Sequence, residues 1–241
     1  MMELDEFSKK IKELSLKMKI EISETQSEKL YRYMNLLIEW NNNINLTSIT
    51  DPDEIIIKHF IDSMTIEKHI RDNCRMLDIG TGAGFPGLPL SIIKEGAEFV
   101  LVDSLNKRIN FLEEVSSQIN VKNIKMIHGR AEELARMHEH RERYDVVASR
   151  AVARLNVLLE YMLPFTKIGG YCICMKALNC EDELKEANKA IEILGGKLEI
   201  VDEIMLPNTD ITRKNIVIKK IKETPSKYPR KPGMPAKDPI I

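Results

Sequence analysis

A short apolar run, Met76-Leu77-Asp78-Ile79, leads directly into Gly80-Thr81-Gly82-Ala83-Gly84, with Phe85-Pro86-Gly87 behind it. Alternating glycines after a strand-like stretch constrain a chain strongly: they let the backbone take positive φ and let a ligand approach the peptide groups. Pro86 suits a helix start, where its missing N–H leaves nothing unsatisfied. Strand, glycine turn and helix in that order belong to an open α/β sheet, which binds ligands beyond the carboxyl ends of its strands. A tight turn without a ligand is the plainer reading, but three alternating glycines cost chain entropy.

The sequence downstream supplies the rest of such a sheet. Phe99-Val100-Leu101-Val102 reads as a second strand, followed by a helix over 106–119. Strands are expected near 124–127, 144–148 and 171–175, with helices over 155–163 and 182–194, the last stopped by Gly195-Gly196. Two final strands, 198–204 and 215–221, have no helix between them. Five βα units and a hairpin predict a doubly wound, mostly parallel sheet with an antiparallel addition.

Upstream, Phe7, Ile11, Leu14 and Met18 recur at helical spacing. Ser23 and Gln26 form a capping box for a second helix ending near Trp40, and the asparagine-rich stretch 41–45 breaks it. A third helix is expected over 53–69. The stretch 224–239 carries five prolines and reads as extended, not helical. These shifts divide the chain into a helical extension (1–70) packed on the core, a Rossmann-like domain (71–222) and a basic, proline-rich tail (223–241).

Lys+Arg number 36 against 37 Asp+Glu, so a net charge of -1 excludes a uniformly basic nucleic-acid binder and makes any basic patch local. Basic residues crowd the stretch from Arg213 to Lys237, opposed only by Glu223, with Tyr228 among them as a stacking surface. That combination suits RNA contact, and a solvated tail equally. No apolar run is long enough for a membrane span, and the N-terminus lacks the apolar stretch of a secretory signal, so a cytoplasmic protein is expected. Cys74, Cys172, Cys174 and Cys180 have no metal-ligand spacing and read as buried thiols, with no metal site expected.

Gly82-Ala83-Gly84-Phe85-Pro86-Gly87 also satisfies the dinucleotide fingerprint, so two nucleoside cofactors compete for this turn. Asp78, two residues before the first glycine, places a carboxylate where it can meet the cationic methionine end of S-adenosylmethionine. The final strand pair suits a seven-stranded methyltransferase sheet better than a dinucleotide fold. Both favour S-adenosylmethionine. Asp103, ending the second strand, can accept from ribose hydroxyls in either case. The loop Gly129-Arg130-Ala131-Glu132 comes after the third strand and can offer a backbone N–H to adenine.

The residues after the fourth strand narrow the acceptor. Exocyclic amines are usually positioned there by an Asn/Asp-Pro-Pro-aromatic motif, and this chain reads Ser149-Arg150-Ala151-Val152. Carbon methylation of cytosine needs a cysteine nucleophile that this region lacks. A ring nitrogen such as guanine N7 needs orientation but no general base. Arg150 is the charged residue at this strand tip and is read as bordering the ligand site, with a structural ion pair as the alternative. Rival readings are a small-molecule methyltransferase, a nicotinamide oxidoreductase and a non-catalytic RNA-binding module.

Leu77 to Gly87 resembles the signature of the bacterial glucose-inhibited division protein B family, guanine-N7 methyltransferases of small-subunit ribosomal RNA, also called methyltransferase G. Trp40-Asn41, Asn45-Leu46-Thr47, His59 and Asp62-Ser63 are similar to its N-terminal signature. Asp103 to Arg108, Gly129 to Glu132 and Ser149 to Ala153 come next in order, and Tyr228-Pro229-Arg230-Lys231-Pro232-Gly233 resembles its C-terminal motif. The resemblance implies a class I S-adenosylmethionine-dependent methyltransferase fold with a helical N-terminal extension. It implies cofactor contacts at Gly80, Phe85, Ala131, Glu132 and Arg150, beside Asp78, Gly82, Gly84 and Asp103, and an acceptor guanine in the small ribosomal subunit. Asn45, His59, Lys176 and Arg150 are candidates for catalysis or base placement; Lys176, Tyr228, Arg230 and Lys231 are candidates for RNA contact by a monomer. Lys176-Ala177 departs from the family's usual Lys-Gly, which puts the local turn in doubt.

Overall fold

The computed structural model describes residues 2–150 and 153–241. Ala151 and Val152, part of the motif after the fourth strand, lie outside the described residues. The chain opens with α1 (Leu4–Lys17) and α2 (Glu24–Asn41), whose apolar stripes bury Phe7, Ile11, Leu14, Leu30, Tyr33, Met34 and Leu37. Ser23 accepts from the Gln26 N–H and Gln26 accepts from the Ser23 N–H, closing the capping box that the spacing predicts.

The third helix expected over 53–69 is instead four short pieces. Asp51 caps α3 (Pro52–Ile55), a π-helical turn comes next (Ile56–Ile61), then α4 (Asp62–Met64) and a 3-10 turn (Glu67–His69). The covered residues of this stretch run nearly continuously: Ile55, Ile56, His59, Phe60, Ile61, Asp62, Ser63 and Met64 are all buried. Such π-helical turns recur at functional sites.

The sheet has seven strands: β1 (Arg75–Ile79), β2 (Glu98–Asp103), β3 (Ile124–His128), β4 (Tyr144–Arg150), β5 (Thr166–Ala177), β6 (Gly196–Met205) and β7 (Thr212–Lys220). They lie in the order β3-β2-β1-β4-β5-β7-β6; β7 runs antiparallel to both its neighbours, and the other pairings are parallel. Between and after them come α5 (Gly87–Ile93), α6 (Asn106–Gln118), α7 (Ala131–Leu134), α8 (Leu155–Met162), α9 (Glu181–Ile193) and α10 (Met234–Lys237).

Both faces of the central strands are covered, so β1, β2 and β4 are apolar on both sides, while the edge strand β6 is largely exposed. Met76, Phe99 and Leu101 point into a core shared with α1, α2, α5 and α6, while Leu77, Val100 and Val147 point into one shared with α8 and α9. The strand order reverses between β1 and β4, and the crevice above their carboxyl ends is where such sheets bind ligands.

The proline-rich tail is folded. Tyr228 and Ile240 are buried in the second core, and Met234–Lys237 form the short helix α10, with Pro235 near its start, where the expected extended tail has none. Arg141 holds the tail by donating to the carbonyls of Thr224 (2.7 Å) and Tyr228 (2.9 Å).

Candidate functional site

The glycine turn is braced from below. Asp78 Oδ2 accepts from Thr81 Oγ1 at 2.7 Å and from the Gly87 N–H at 2.9 Å. A Cβ on Gly87 would lie 2.9 Å from that oxygen and 2.7 Å from Leu101 Cδ1, so the close approach needs glycine. The other oxygen, Oδ1, is buried with no hydrogen-bond partner among the described residues. Burial pushes the Asp78 carboxyl up to about 6, against the hydrogen bonds from Thr81 and Gly87 that lower it. The carboxylate expected to face a ligand thus uses one oxygen on the turn itself, a role that the sequence did not reveal.

Gly82, at φ +62°, donates its N–H to Asp103 Oδ2 at 2.9 Å, and a Cβ there would meet nothing within 4 Å. The turn is therefore open on that side. Asp103 also accepts from the Leu105 N–H and from Arg108 Nη1 at 3.2 Å. Gly80, Gly82, Phe85, Asp103, His59 and Arg150 line one cavity of about 400 Å³ with Leu46, Thr47 and Arg108. A larger cleft of about 490 Å³ opens at the amino ends of β1 to β3, between Arg75, Glu98 and Lys125, away from this turn.

One wall of the 400 Å³ cavity is an aromatic and cationic stack. The His59 imidazole lies parallel to Phe85, and Arg150 Cζ sits 5.0 Å from the same ring centre. Arg150 donates to Lys58 O (3.0 Å), Asp62 Oδ2 (3.1 Å) and His59 Nδ1 (3.2 Å). Because Nδ1 accepts, the imidazole proton lies on Nε2, which donates to Thr47 Oγ1 at 2.9 Å. Burial, and then the neighbouring Arg150 charge, push His59 down to about 3, so the ring is neutral near pH 7. Asn41 in turn holds the Thr47 loop by accepting from the Leu46 and Thr47 N–H groups.

On the far side of His59 and Arg150 lies a second cavity of about 340 Å³, lined also by Ile49, Lys58, Asp62, Met175, Lys176 and Arg213. Asp62, nearly fully buried, holds both Arg150 and Arg213, whose Nε lies 3.2 Å from Oδ1. Lys176 reaches Ala153 O (2.6 Å) and Glu183 (2.8 Å).

Other expected residues lie elsewhere. Asn45 is exposed, one residue before Leu46 of the cavity wall. Gly84 lies under the turn, against Tyr33 and Leu112. Ala131 and Glu132 begin α7 outside the 400 Å³ lining, and Glu132 accepts from the Gly233 N–H at 3.0 Å. Tyr228 is buried, so its ring is no exposed stacking surface. Arg230 forks onto the buried Glu160 at 2.7 Å, and Lys231 is exposed. All four cysteines are buried free thiols, and among the described residues no His, Cys, Asp and Glu cluster could hold a metal.

Thr47, Asp62 and Arg108 fell within stretches that the resemblance marked, but without a role; Tyr33 and Arg213 carried little local signal, since their partners Ala83 and Asp62 lie 50 and 151 residues away.

Comparisons with known proteins agree with this architecture. A solved S-adenosylmethionine-dependent methyltransferase from Aquifex aeolicus superposes with a TM-score of 0.53 at 17% identity, covering 70% of this chain and 93% of that one. M. jannaschii TYW2 in complex with AdoMet gives 0.53 at 16% identity, covering 67% and 76%. At such identities the likeness speaks for the fold alone, a class I methyltransferase sheet. Sequence relatives are far nearer. The ribosomal RNA small subunit methyltransferase G of Desulforamulus reducens is 51% identical over 232 residues, 95% of this chain and 97% of the relative. That of Alkaliphilus oremlandii is 50% identical over 234 residues, with the same coverage. The family model described as rRNA small subunit methyltransferase G matches residues 26–212, and the chain belongs to that family.

Proposed function

We propose that this chain uses S-adenosylmethionine to methylate a guanine of small-subunit ribosomal RNA at N7, with the cofactor in the 400 Å³ cavity and the guanine in the 340 Å³ one. The observation that carries this reading is the shared wall: His59 and Arg150 line both cavities, so donor and acceptor sites adjoin. The residues present fit the cofactor. Gly82 leaves an open cradle, and Asp78 Oδ1 is a buried acceptor without a partner among the described residues. When bound, S-adenosylmethionine supplies an electrophilic methyl group on a sulfonium.

Every other part of the task falls to this chain's side chains. Ile49 and Met175 give the second cavity apolar walls for a flat purine, and Lys58, Lys176 and Arg213 give it a cationic rim for a phosphate chain. Transfer to N7 uses a ring lone pair and releases no proton, so it needs orientation more than a base. His59 fits that division of labour: a group at about 3, with Nδ1 engaged by Arg150, is a poor base near neutrality. Its work is to fix Arg150 and the Thr47 loop.

No described helix is long and apolar enough to cross a membrane. A monomer acting in the cytoplasm, where ribosomes assemble, completes the proposal, as does the division into extension, methyltransferase domain and tail. The test is incubation with unmethylated small subunits and labelled S-adenosylmethionine, followed by reduction and aniline cleavage. Cleavage at one guanine is expected; label confined to protein or small molecules would sink the assignment.

A further inference from the structure

Tyr33 lies on α2, fifty residues from the glycine turn, and is completely buried. Its hydroxyl donates to the carbonyl of Ala83, a residue of the cavity lining. The N–H of the same peptide group, that of Gly84, donates to Thr81 O at 2.9 Å. The Ala83–Gly84 peptide plane is therefore gripped at both ends, by the turn on one side and by an N-terminal helix on the other.

The ring of Tyr33 continues the contact. It stacks on Phe85 with centres 5.6 Å apart and planes 27° from parallel, and Phe85 stacks in turn on His59. The approach is close enough to dictate sequence: a Cβ on Gly84 would lie 2.7 Å from the Tyr33 hydroxyl and 2.8 Å from Leu112. A phenylalanine at position 33 would fill the same core, so packing alone does not explain the hydroxyl. Burial raises the phenol well above its usual range, which keeps it a hydrogen-bond donor at any working pH.

From this geometry we propose that Tyr33 is a positioning residue of the cofactor turn, holding the Ala83–Gly84 peptide so that Gly82 and Ala83 present a preformed cradle. The inference rests on the cofactor reading above. It makes α2 a working part of the cofactor site and not only a cover for the sheet. Without the hydroxyl the Ala83 carbonyl loses its buried partner, and the peptide is free to rotate toward another one.

The test uses the full chain, freed of cofactor, as wild type, Tyr33→Phe and Phe111→Leu. The last removes a ring that neighbours Tyr33 and leaves the hydroxyl's bond to Ala83 O in place. S-adenosylmethionine binding is measured by calorimetry, and exchange of the Gly84 amide by nuclear magnetic resonance without cofactor. Tyr33→Phe is expected to weaken cofactor affinity about tenfold and to speed Gly84 exchange. KM for the cofactor should rise while kcat at saturating cofactor stays within about twofold. Phe111→Leu should lower the melting temperature but leave cofactor affinity unchanged. Equal affinity in wild type and Tyr33→Phe, or a fall in kcat with KM unchanged, overturns the proposal. A wild-type chain that does not bind S-adenosylmethionine overturns the cofactor reading and this inference with it.

Discussion

The imidazole of His59 lies against the phenyl ring of Phe85, ring centres 4.3 Å apart and planes 19° from parallel. One residue comes from the π-helical turn of the N-terminal segment and the other from the end of the glycine turn, so the contact ties two distant stretches together. Arg150 from β4 closes the arrangement, bonding the imidazole edge while its guanidinium lies near the same phenyl ring. A protonated imidazole would turn an N–H toward the Arg150 N–H groups, which is why burial and that charge together keep the ring neutral.

This arrangement makes stability depend on pH. The His59 pKa is depressed from 6.5 to about 3. Its contribution is thus complete above 6.5 and is lost as pH falls toward 3, because only the unfolded chain binds the proton in that window. In His59→Gln a side-chain carbonyl still accepts from Arg150, but nothing titrates. Between pH 7 and pH 4 the wild type should lose about 3 kcal/mol more than the variant in urea denaturation. Other titrating groups are common to both proteins, so equal losses would show that His59 does not carry the effect.

Asp62 should be the most sensitive position of the second cavity. It is nearly fully buried and holds Arg150 and Arg213 at once. Removing the carboxylate in Asp62→Ala leaves two partly buried cations facing one another without their counter-charge. A loss of about 3 kcal/mol in denaturation is expected. Methylation at saturating cofactor and RNA should fall at least about tenfold, because Arg150 is no longer oriented. A stable, fully active variant would refute this assignment.

The tail separates two neighbouring basic residues. Arg230 forks onto Glu160, which is 1% exposed, whereas Lys231 is exposed. Arg230→Ala strands a buried carboxylate and should cost about 3 kcal/mol. Lys231→Ala should change stability by less than about 0.5 kcal/mol. If Lys231 touches phosphate, its loss should weaken RNA binding and flatten the salt dependence. Identical melting curves for the two variants would contradict the division.

Where the fold was legible, local chemistry decided it. Apolar runs marked β1 as 76–79 and β2 as 99–102, each within a residue of the observed ends, because both faces of these strands are buried. The run for β5, expected over 171–175, was too short: the strand starts at Thr166 and passes through Gly169, at φ +85°, and Gly170, where there is no apolar run to mark it. The glycine turn was legible as a motif. The partners that give each charge its task were not: Asp62 meets arginines 88 and 151 residues away, and Arg230 meets a glutamate 70 residues away. Spacing along a chain carries no information about such pairs.

Asp78 should separate stability from binding. Its carboxyl is raised from 3.8 to about 6, so its stabilising contribution is complete below 3.8 and is lost as pH rises through 6. At pH 7 the folded protein therefore carries a buried carboxylate held against its preference. Asp78→Asn stays neutral and keeps an oxygen for Thr81 and Gly87, so relative to wild type it should gain on the order of 3 kcal/mol between pH 4 and pH 7. The same change removes the negative charge beneath the turn, and affinity for the cationic cofactor should fall about tenfold or more. Calorimetry and urea denaturation on the same samples check both halves. A variant that is neither more stable at pH 7 nor weaker in binding would mean that Asp78 serves only as a hydrogen-bond acceptor for its own turn.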